Sequence, residues 1–309
     1  MSSIVTEQGI LHYETIGRGQ PIILLHGWIN SWDVWRDSMI SLASQNRYRV
    51  YALDFWGFGD SAKGAVNSFR TDSYVEMVHQ FMNTLGILKS PVFGHSMGGT
   101  VALKFALTYP ERTRKVALVG APIVGDSLNL FLKLSGYGSI AELVWRYPIL
   151  RDTVMKILLA GDSKKVRAMI SRDVQRTNME SFFRSIDDLR KTDLRDELQS
   201  LKMPALGIYG ARDNIVSPKN ADILSRAVPT AEVAMMEKSR HFPMTDEPER
   251  FLTVLNEFLI QPDKKTRPSP DIATQTDNST TNNGNITTNA SPPPNWPLSS
   301  PNRGEVSSS

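Results

Sequence analysis

A pentapeptide in the first third of the chain, Gly94-His95-Ser96-Met97-Gly98, lies between a short apolar run and a stretch with helical spacing. A serine in this context occupies a tight turn at the end of a strand, with its hydroxyl lifted clear of the sheet. Glycines two residues to either side let backbone segments approach closely, and the helix start places free N–H groups beside the serine. Ser96 is therefore the candidate nucleophile, with a glycine-rich structural turn as the alternative.

Apolar runs of strand length alternate with segments of helical period on both sides of this motif. We predict strands at 10–16, 21–26, 49–55, 91–93, 115–120, 205–209 and 231–236, and helices at 32–45, 72–85, 97–109, 218–227 and 248–260. Strands of this kind, nearly free of polar positions and separated by helices, indicate a mostly parallel central sheet flanked by helices. The predicted fold class is α/β.

Two stretches depart from this alternation. Residues 123–201 contain helical patterns and no convincing strand, which predicts a helical cap or lid inserted into a core formed by residues 1–122 and 202–261. Residues 262–309 are rich in Pro, Ser, Thr and Asn. They contain too few apolar side chains to offset the entropy of ordering, so we predict a disordered tail.

The composition excludes several classes of function. The chain has no cysteine, which rules out thiolate catalysis, disulfides and cysteine-based metal sites. The net charge is only +3 and basic residues form no long block, so we expect neither nucleic acid nor an anionic membrane as a partner. No apolar run is long enough to span a bilayer, and the N-terminal sequence lacks a secretory signal, so the expected location is cytoplasmic.

A serine hydroxyl is a weak nucleophile and needs a base that is oriented by a third group. Of the five histidines, His241 is the candidate base, because it lies between the last strand and the last helix, at the carboxyl edge of the sheet. The other four are better explained as strand, helix or loop residues, or as too close in sequence to Ser96; they are His12, His26, His79 and His95.

The orienting acid is expected between Ser96 and His241 in the chain. Asp213 fits, because it follows a strand and a glycine turn, although an aspartate there also commonly forms a turn or caps a helix. Asp126 is the reserve candidate. Two backbone N–H groups would form the oxyanion hole, those of Met97 and Trp28.

Five motifs in register resemble the α/β-hydrolase superfamily, in its branch of serine esterase-like enzymes with a helical cap. They cover most of residues 8–260 and are Leu24-Leu25-His26-Gly27-Trp28, Asp54-Phe55-Trp56-Gly57-Phe58-Gly59-Asp60-Ser61, Gly94-His95-Ser96-Met97-Gly98-Gly99 with Tyr109-Pro110-Glu111-Arg112, Asp213, and His241-Phe242-Pro243. Similar dehalogenases and epoxide hydrolases carry aspartate where this chain has Ser96. The resemblance therefore implies acyl transfer. Arg240 departs from the glycine that more often precedes the family's histidine.

These residues predict a carboxylesterase that acts on a small or medium apolar ester through an acyl-Ser96 intermediate, with no metal or organic cofactor. Trp28, Trp32 and Phe58 are candidate pocket residues, with core packing as the alternative for each. Cleavage of a carbon–carbon or amide bond, or perhydrolysis, by the same triad is the second hypothesis. A non-catalytic protein that binds a ligand in the same fold is the third. The expected partner is a small-molecule substrate, and the oligomeric state is left open.

Overall fold

The computed structural model describes residues 2–63, 69–129, 132, 146–156 and 163–262. The predicted tail beyond Pro262 lies outside these residues. Eight strands form one sheet in the order β1-β2-β4-β3-β5-β6-β7-β8. Their bounds are Ser2–Thr6, Gly9–Gly17, Gln20–Leu25, Tyr48–Leu53, Ser90–His95, Thr113–Val119, Ala205–Gly210 and Glu232–Met236, numbered β1 to β8 in chain order.

The sheet is parallel from β4 through β8, and only β1 and β2 run antiparallel to their neighbours. The central strands contain continuous apolar runs, such as Ile22–Leu25, which is fully buried. Such runs occur where helices cover both faces of a strand. The prediction of a mostly parallel α/β sheet is therefore confirmed.

Helices flank this sheet. In chain order, α1 to α9 are Arg36–Ser44, Thr71–Thr84, Met97–Thr108, Pro148–Met155, Lys164–Gln175, Met179–Lys191, Asn220–Ala227, Pro243–Asp246 and Pro248–Ile260. Helix α3 packs on β5 and β6 and against α2, while α1 packs on β2 and β4 and touches α9. Within the described part of the chain, no helix combines the length and the apolar character needed to cross a bilayer.

The segment between β6 and β7 contributes α4, α5 and α6, and its two ends lie side by side. Val124 and Asp193 form an isolated antiparallel bridge. The N–H of Gly125 donates to the carbonyl of Thr192 over 2.7 Å, and that of Leu194 donates to Ile123 over 3.0 Å. These contacts close the inserted segment at its base.

A buried cation joins the last helix to the sheet. Lys115, on β6, is 2% exposed, and its ammonium donates to the carbonyls of Phe258 at 2.7 Å, Leu259 at 3.3 Å and Gln261 at 2.5 Å. These acceptors are carbonyls at the C-terminus of α9. The last carbonyls of a helix have no N–H partner within the helix, and the negative end of the helix dipole lies there. Lys115 therefore satisfies acceptors that would otherwise be buried without partners.

We expect Lys115→Met to lower the free energy of unfolding by about 2–3 kcal/mol, because hydrogen bonds to a buried charge contribute more than neutral ones. Urea denaturation followed by circular dichroism measures this. Lys104→Met is the matched control, because the partners of Lys104 among the described residues are limited to long surface ion pairs with Asp72 at 3.8 Å and Glu197 at 3.6 Å. The Lys104→Met substitution should change the free energy of unfolding by no more than about 0.5 kcal/mol. Equal effects of the two substitutions would contradict this account of Lys115.

Candidate active site

The carboxyl ends of the parallel strands gather the candidate residues at one edge of the sheet. Ser96 follows β5, Asp213 lies in the turn after β7, and His241 lies in the loop after β8. Each residue is nearly buried, with exposed fractions of 6%, 9% and 4% respectively. The sheet topology thus brings together three residues that are far apart in sequence.

Ser96 has an unusual backbone conformation. Its φ is +51°, in the left-handed region, and it stands immediately before the first residue of α3. Its N–H donates to Val119 on the neighbouring strand over 2.8 Å. A non-glycine residue held at positive φ costs on the order of 1–3 kcal/mol, and such strain is concentrated at functional sites.

The flanking glycines are required by close packing. A Cβ atom on Gly94 would lie 2.0 Å from the carbonyl oxygen of Gly98, and one on Gly98 would lie 2.4 Å from the carbonyl oxygen of His26. Both distances are far below van der Waals contact, and the obstructing atoms are backbone. The structure therefore supports the reason given above for the spacing of these glycines around Ser96.

Asp213 and His241 form a hydrogen-bonded pair, with 2.8 Å between Asp213 Oδ2 and His241 Nδ1. The other carboxylate oxygen, Oδ1, accepts the N–H groups of Ile215 at 2.8 Å and Val216 at 3.0 Å. The carboxylate thus both shapes its own turn and orients the imidazole. Since Nδ1 carries a proton and donates its hydrogen bond to the carboxylate, Nε2 is the nitrogen of the neutral imidazole that can accept a proton.

His95 contacts the loop that contains His241, and the sequence did not indicate this role. Its Nε2 lies 2.8 Å from the backbone oxygen of His241, so it carries the proton and donates it there. Burial lowers the pKa of His95 well below its ordinary value, and neighbouring His241 lowers it further. His95 is therefore neutral and fixes the backbone of His241. No local pattern reveals this contact, because the two residues are 146 positions apart.

The loop after β3 runs beside Ser96. His26 Nδ1 donates to the carbonyl of Gly27 over 2.7 Å, and its Nε2 accepts the N–H of Phe55 over 3.0 Å. The indole N–H of Trp28 donates to the carbonyl of Phe182 on α6 over 3.1 Å. The loop is therefore attached both to the sheet and to the inserted segment.

Ser96 and His241 line one small cavity, in which the described residues leave about 20 Å³, room for roughly one water molecule. Asn30 is the third polar residue of the lining. The rest is apolar, and it includes Trp28, Leu128, Ile186, Leu189, Ile215 and Phe242. A buried nucleophile in a largely apolar cavity is the usual arrangement of a small-molecule site.

The other predicted residues lie at various distances from this cavity. Trp28 is in its lining, whereas the described lining contains neither Trp32 nor Phe58. Phe58 is fully buried and packs edge-on against His26, with 5.8 Å between ring centroids. Trp32 stacks against the guanidinium of Arg36 at 4.6 Å. Both aromatic side chains make packing contacts, and their role as pocket residues stays a prediction.

Asp126 and Arg240 are both exposed. Asp126 lies in a short 3₁₀ turn, Gly125–Ser127, where its charge acts on Arg195. The backbone N–H of Arg240 donates to Asp246 over 2.8 Å. Asp213, and not Asp126, is the aspartate whose carboxylate reaches His241.

His12, Asp54 and Asp60 form a cluster whose ligand atoms lie within 4.8 Å of one another. The Asp54 carboxylate accepts hydrogen bonds from His12 at 2.8 Å and from the N–H groups of Trp32 at 2.7 Å and Asp60 at 2.9 Å. Burial alone would lower the pKa of His12, but its hydrogen bond to Asp54 and the charge there outweigh this and raise it. These bonds join β2, β4 and the loop that contains Trp32, which gives the cluster a structural role.

A larger cavity of about 420 Å³ lies between α1, α5 and α8. Its lining includes charged side chains that pair with one another, such as Asp33 with Arg172 at 2.7 Å. Neither Ser96 nor His241 belongs to it, so it lacks the nucleophile and base found in the smaller cavity.

A parallel sheet with a strained serine between strand and helix, and a hydrogen-bonded Asp–His pair at the same edge, defines an α/β-type hydrolase. A sequence model of the alpha/beta hydrolase fold matches residues 20–248. The chain belongs to that family and is a hydrolase.

Among curated proteins, the chain is 28% identical over 269 residues to the pimeloyl-[acyl-carrier protein] methyl ester esterase of Vibrio cholerae, covering 81% of this chain and 98% of the relative. It is 28% identical over 264 residues to the 2-hydroxy-6-oxononadienedioate/2-hydroxy-6-oxononatrienedioate hydrolase of Paraburkholderia phymatum, covering 81% and 91%. Among solved structures, an esterase from Exiguobacterium antarcticum matches with a TM-score of 0.74 and 21% identity, covering 84% of this chain and 99% of that one. The last similarity shows the fold alone.

Proposed function

We propose that this protein is a carboxylesterase in which Ser96 is the nucleophile, His241 the general base and Asp213 the acid that orients it. The observation that carries the proposal is the 2.8 Å hydrogen bond between Asp213 and His241 beside the cavity that contains Ser96. The similarity to the methyl ester esterase of Vibrio cholerae supports an ester as the substrate.

In the first half-reaction, the hydroxyl oxygen of Ser96 attacks the ester carbonyl while its proton passes to Nε2 of His241. Asp213 stabilises the imidazolium that forms. The imidazolium then gives this proton to the departing alkoxide, so that an alcohol leaves and the acyl group stays on Ser96. In the second half, water attacks the acyl-Ser96 ester, with His241 again accepting and returning a proton, and a carboxylic acid is released.

The negative charge of the tetrahedral intermediate needs donors that are already in position. The N–H of Met97 is available because it belongs to the first turn of α3. The N–H of Trp28 is the second candidate, on a loop that the indole of the same residue anchors to α6. Each such donor contributes about 2.7–4 kcal/mol to stabilisation of the transition state.

Residues 123–201 act as a cap in this proposal. Leu128, Ile186 and Leu189 of this segment line the cavity together with Ser96. Since the described residues leave a volume of only about 20 Å³, an ester enters when part of the covering segment moves aside. The apolar lining favours an apolar acyl or alcohol group.

Cleavage of a carbon–carbon bond by the same residues is the second candidate. It is favoured by the similarity to the hydrolase of Paraburkholderia phymatum, whose name specifies 2-hydroxy-6-oxononadienedioate and 2-hydroxy-6-oxononatrienedioate. The two candidates share the nucleophile and base, so a panel of substrates separates them.

The test is hydrolysis of p-nitrophenyl esters of increasing acyl length, combined with mass spectrometry of the protein after treatment with an organophosphonate. The proposal expects hydrolysis and a single adduct on Ser96. An adduct without ester hydrolysis would favour the carbon–carbon alternative. A folded protein that shows neither result would contradict both candidates and favour the non-catalytic ligand-binding hypothesis.

A further inference from the structure

Asn30 has an unsatisfied hydrogen-bond donor inside the candidate active site. The residue is 2% exposed and lines the cavity beside Ser96 and His241. Among the described residues, the side-chain Nδ2 has no hydrogen-bond partner. A buried amide donor without a partner destabilises a folded protein, so its presence in a lining that is apolar apart from Ser96 and His241 requires an explanation.

Asn220 shows what an amide with a purely structural role looks like in this protein. It is fully buried as well. Its Oδ1 accepts the N–H of Ile123 at 2.9 Å, and its Nδ2 donates to the carbonyl of Ser217 at 2.7 Å. Both ends of that amide are used within the fold. The donor of Asn30, by contrast, remains available to a molecule in the cavity.

The backbone that presents Asn30 is strained. Ile29 has a φ of +52°, in the left-handed region, where a β-branched residue is a clear outlier. The N–H of Asn30 closes this turn by donating to the carbonyl of Gly27 over 3.1 Å. Such strain persists only where the surroundings enforce it, and it is typical of ligand-binding sites. The turn keeps the amide of Asn30 at the cavity wall.

We propose that Asn30 is a specificity-determining residue whose Nδ2 donates a hydrogen bond to an acceptor of the substrate other than the scissile carbonyl oxygen. The preferred substrates are then esters with an ether, carbonyl or hydroxyl oxygen close to the reacting bond. This inference rests on the proposed function, because it places the ester beside Ser96. An apolar site with one buried donor discriminates strongly against substrates that leave that donor unpaired.

The experiment compares substrates that differ by one oxygen in place of a methylene. The acyl-side pair is p-nitrophenyl methoxyacetate and p-nitrophenyl butyrate; the alcohol-side pair is 2-methoxyethyl acetate and butyl acetate. The kcat/KM ratio within each pair is measured for the wild type and for Asn30→Leu, so that differences in intrinsic reactivity cancel. In one pair, we expect Asn30→Leu to lower the kcat/KM of the ester with the extra oxygen about tenfold relative to that of its methylene analogue, the usual effect of one lost hydrogen bond. The pair that shows this loss identifies the side of the ester on which the acceptor lies.

Asn220→Leu is the matched control, and thermal denaturation is the second measurement. Asn30→Leu removes an unpaired donor and should leave Tm unchanged or higher. Asn220→Leu leaves the buried N–H of Ile123 without its acceptor and removes one of the two donors to the carbonyl of Ser217, so it should lower Tm without changing either ratio. Asn30→Ala provides a smaller replacement should leucine not fit. Unchanged ratios in both pairs would overturn the proposal, as would an equal loss of kcat for all four substrates. A wild type that neither hydrolyses esters nor reacts with the phosphonate at Ser96 would instead overturn the proposed function.

Discussion

Ser96→Ala is expected to lower kcat for ester hydrolysis by a factor on the order of 10⁶, the effect of removing the nucleophile from a serine triad. The substitution removes the atom that attacks the carbonyl and forms the acyl intermediate. Alanine keeps a Cβ atom at the same φ of +51°, so the fold and its strain should be retained. Initial rates with p-nitrophenyl esters, together with loss of phosphonate labelling, measure the effect.

Ser96→Gly provides the control for strain. Glycine adopts positive φ at little steric cost, so this variant should be as inactive as Ser96→Ala but melt at a higher temperature. An alanine variant that retained more than a small fraction of the wild-type activity would show that another residue is the nucleophile.

The second large effect is expected for Asp213→Asn, which should lower kcat about 10⁴-fold. An asparagine would still accept the N–H groups of Ile215 and Val216, which preserves the turn. Its amide nitrogen, however, would donate to Nδ1 of His241. The imidazole would then carry its proton on Nε2 and could not accept one from Ser96. Steady-state kinetics across pH, with circular dichroism to verify folding, tests this expectation.

Asp126→Asn is the matched control for this substitution. Asp126 was the reserve candidate, follows the neighbouring strand β6 in the chain, and is exposed. Its replacement should leave kcat unchanged. If Asp126→Asn caused the larger loss of activity, the assignment of Asp213 as the orienting acid would be wrong.

Much of the fold could be predicted because the central strands are continuous apolar runs and the helices have a clear helical period. The bounds of α9, Pro248–Ile260, agree with the predicted helix at both ends. The predicted helix over 32–45 instead begins with a 3₁₀ turn, Trp32–Trp35, before α1. Strand β1 was not predicted, since it is a short edge strand in which an apolar residue, Val5, faces solvent with 80% exposure.

The residues around the cavity were harder to predict than the nucleophile. Motif spacing locates Ser96 and the loop that contains Trp28, but it does not specify which way a loop side chain points. Phe58 therefore looked like a pocket residue, although it packs against His26 in the core. The roles of His95 and Asn30 depend on what lies across the sheet edge from each side chain, and such distant contacts leave no local signal.

The closed base of the inserted segment affects how this protein can be modified. Because the Val124–Asp193 bridge and the adjoining hydrogen bonds hold both ends together, the chain enters and leaves the insert at adjacent points. Lengthening a segment with joined ends is inexpensive, about 0.6 kcal/mol for each doubling of length. The stretch from Gly125 to Thr192 can thus be treated as an exchangeable cassette. Grafting the corresponding segment of a relative between these points would change the walls of the cavity and leave Ser96, Asp213 and His241 in place after β5, β7 and β8.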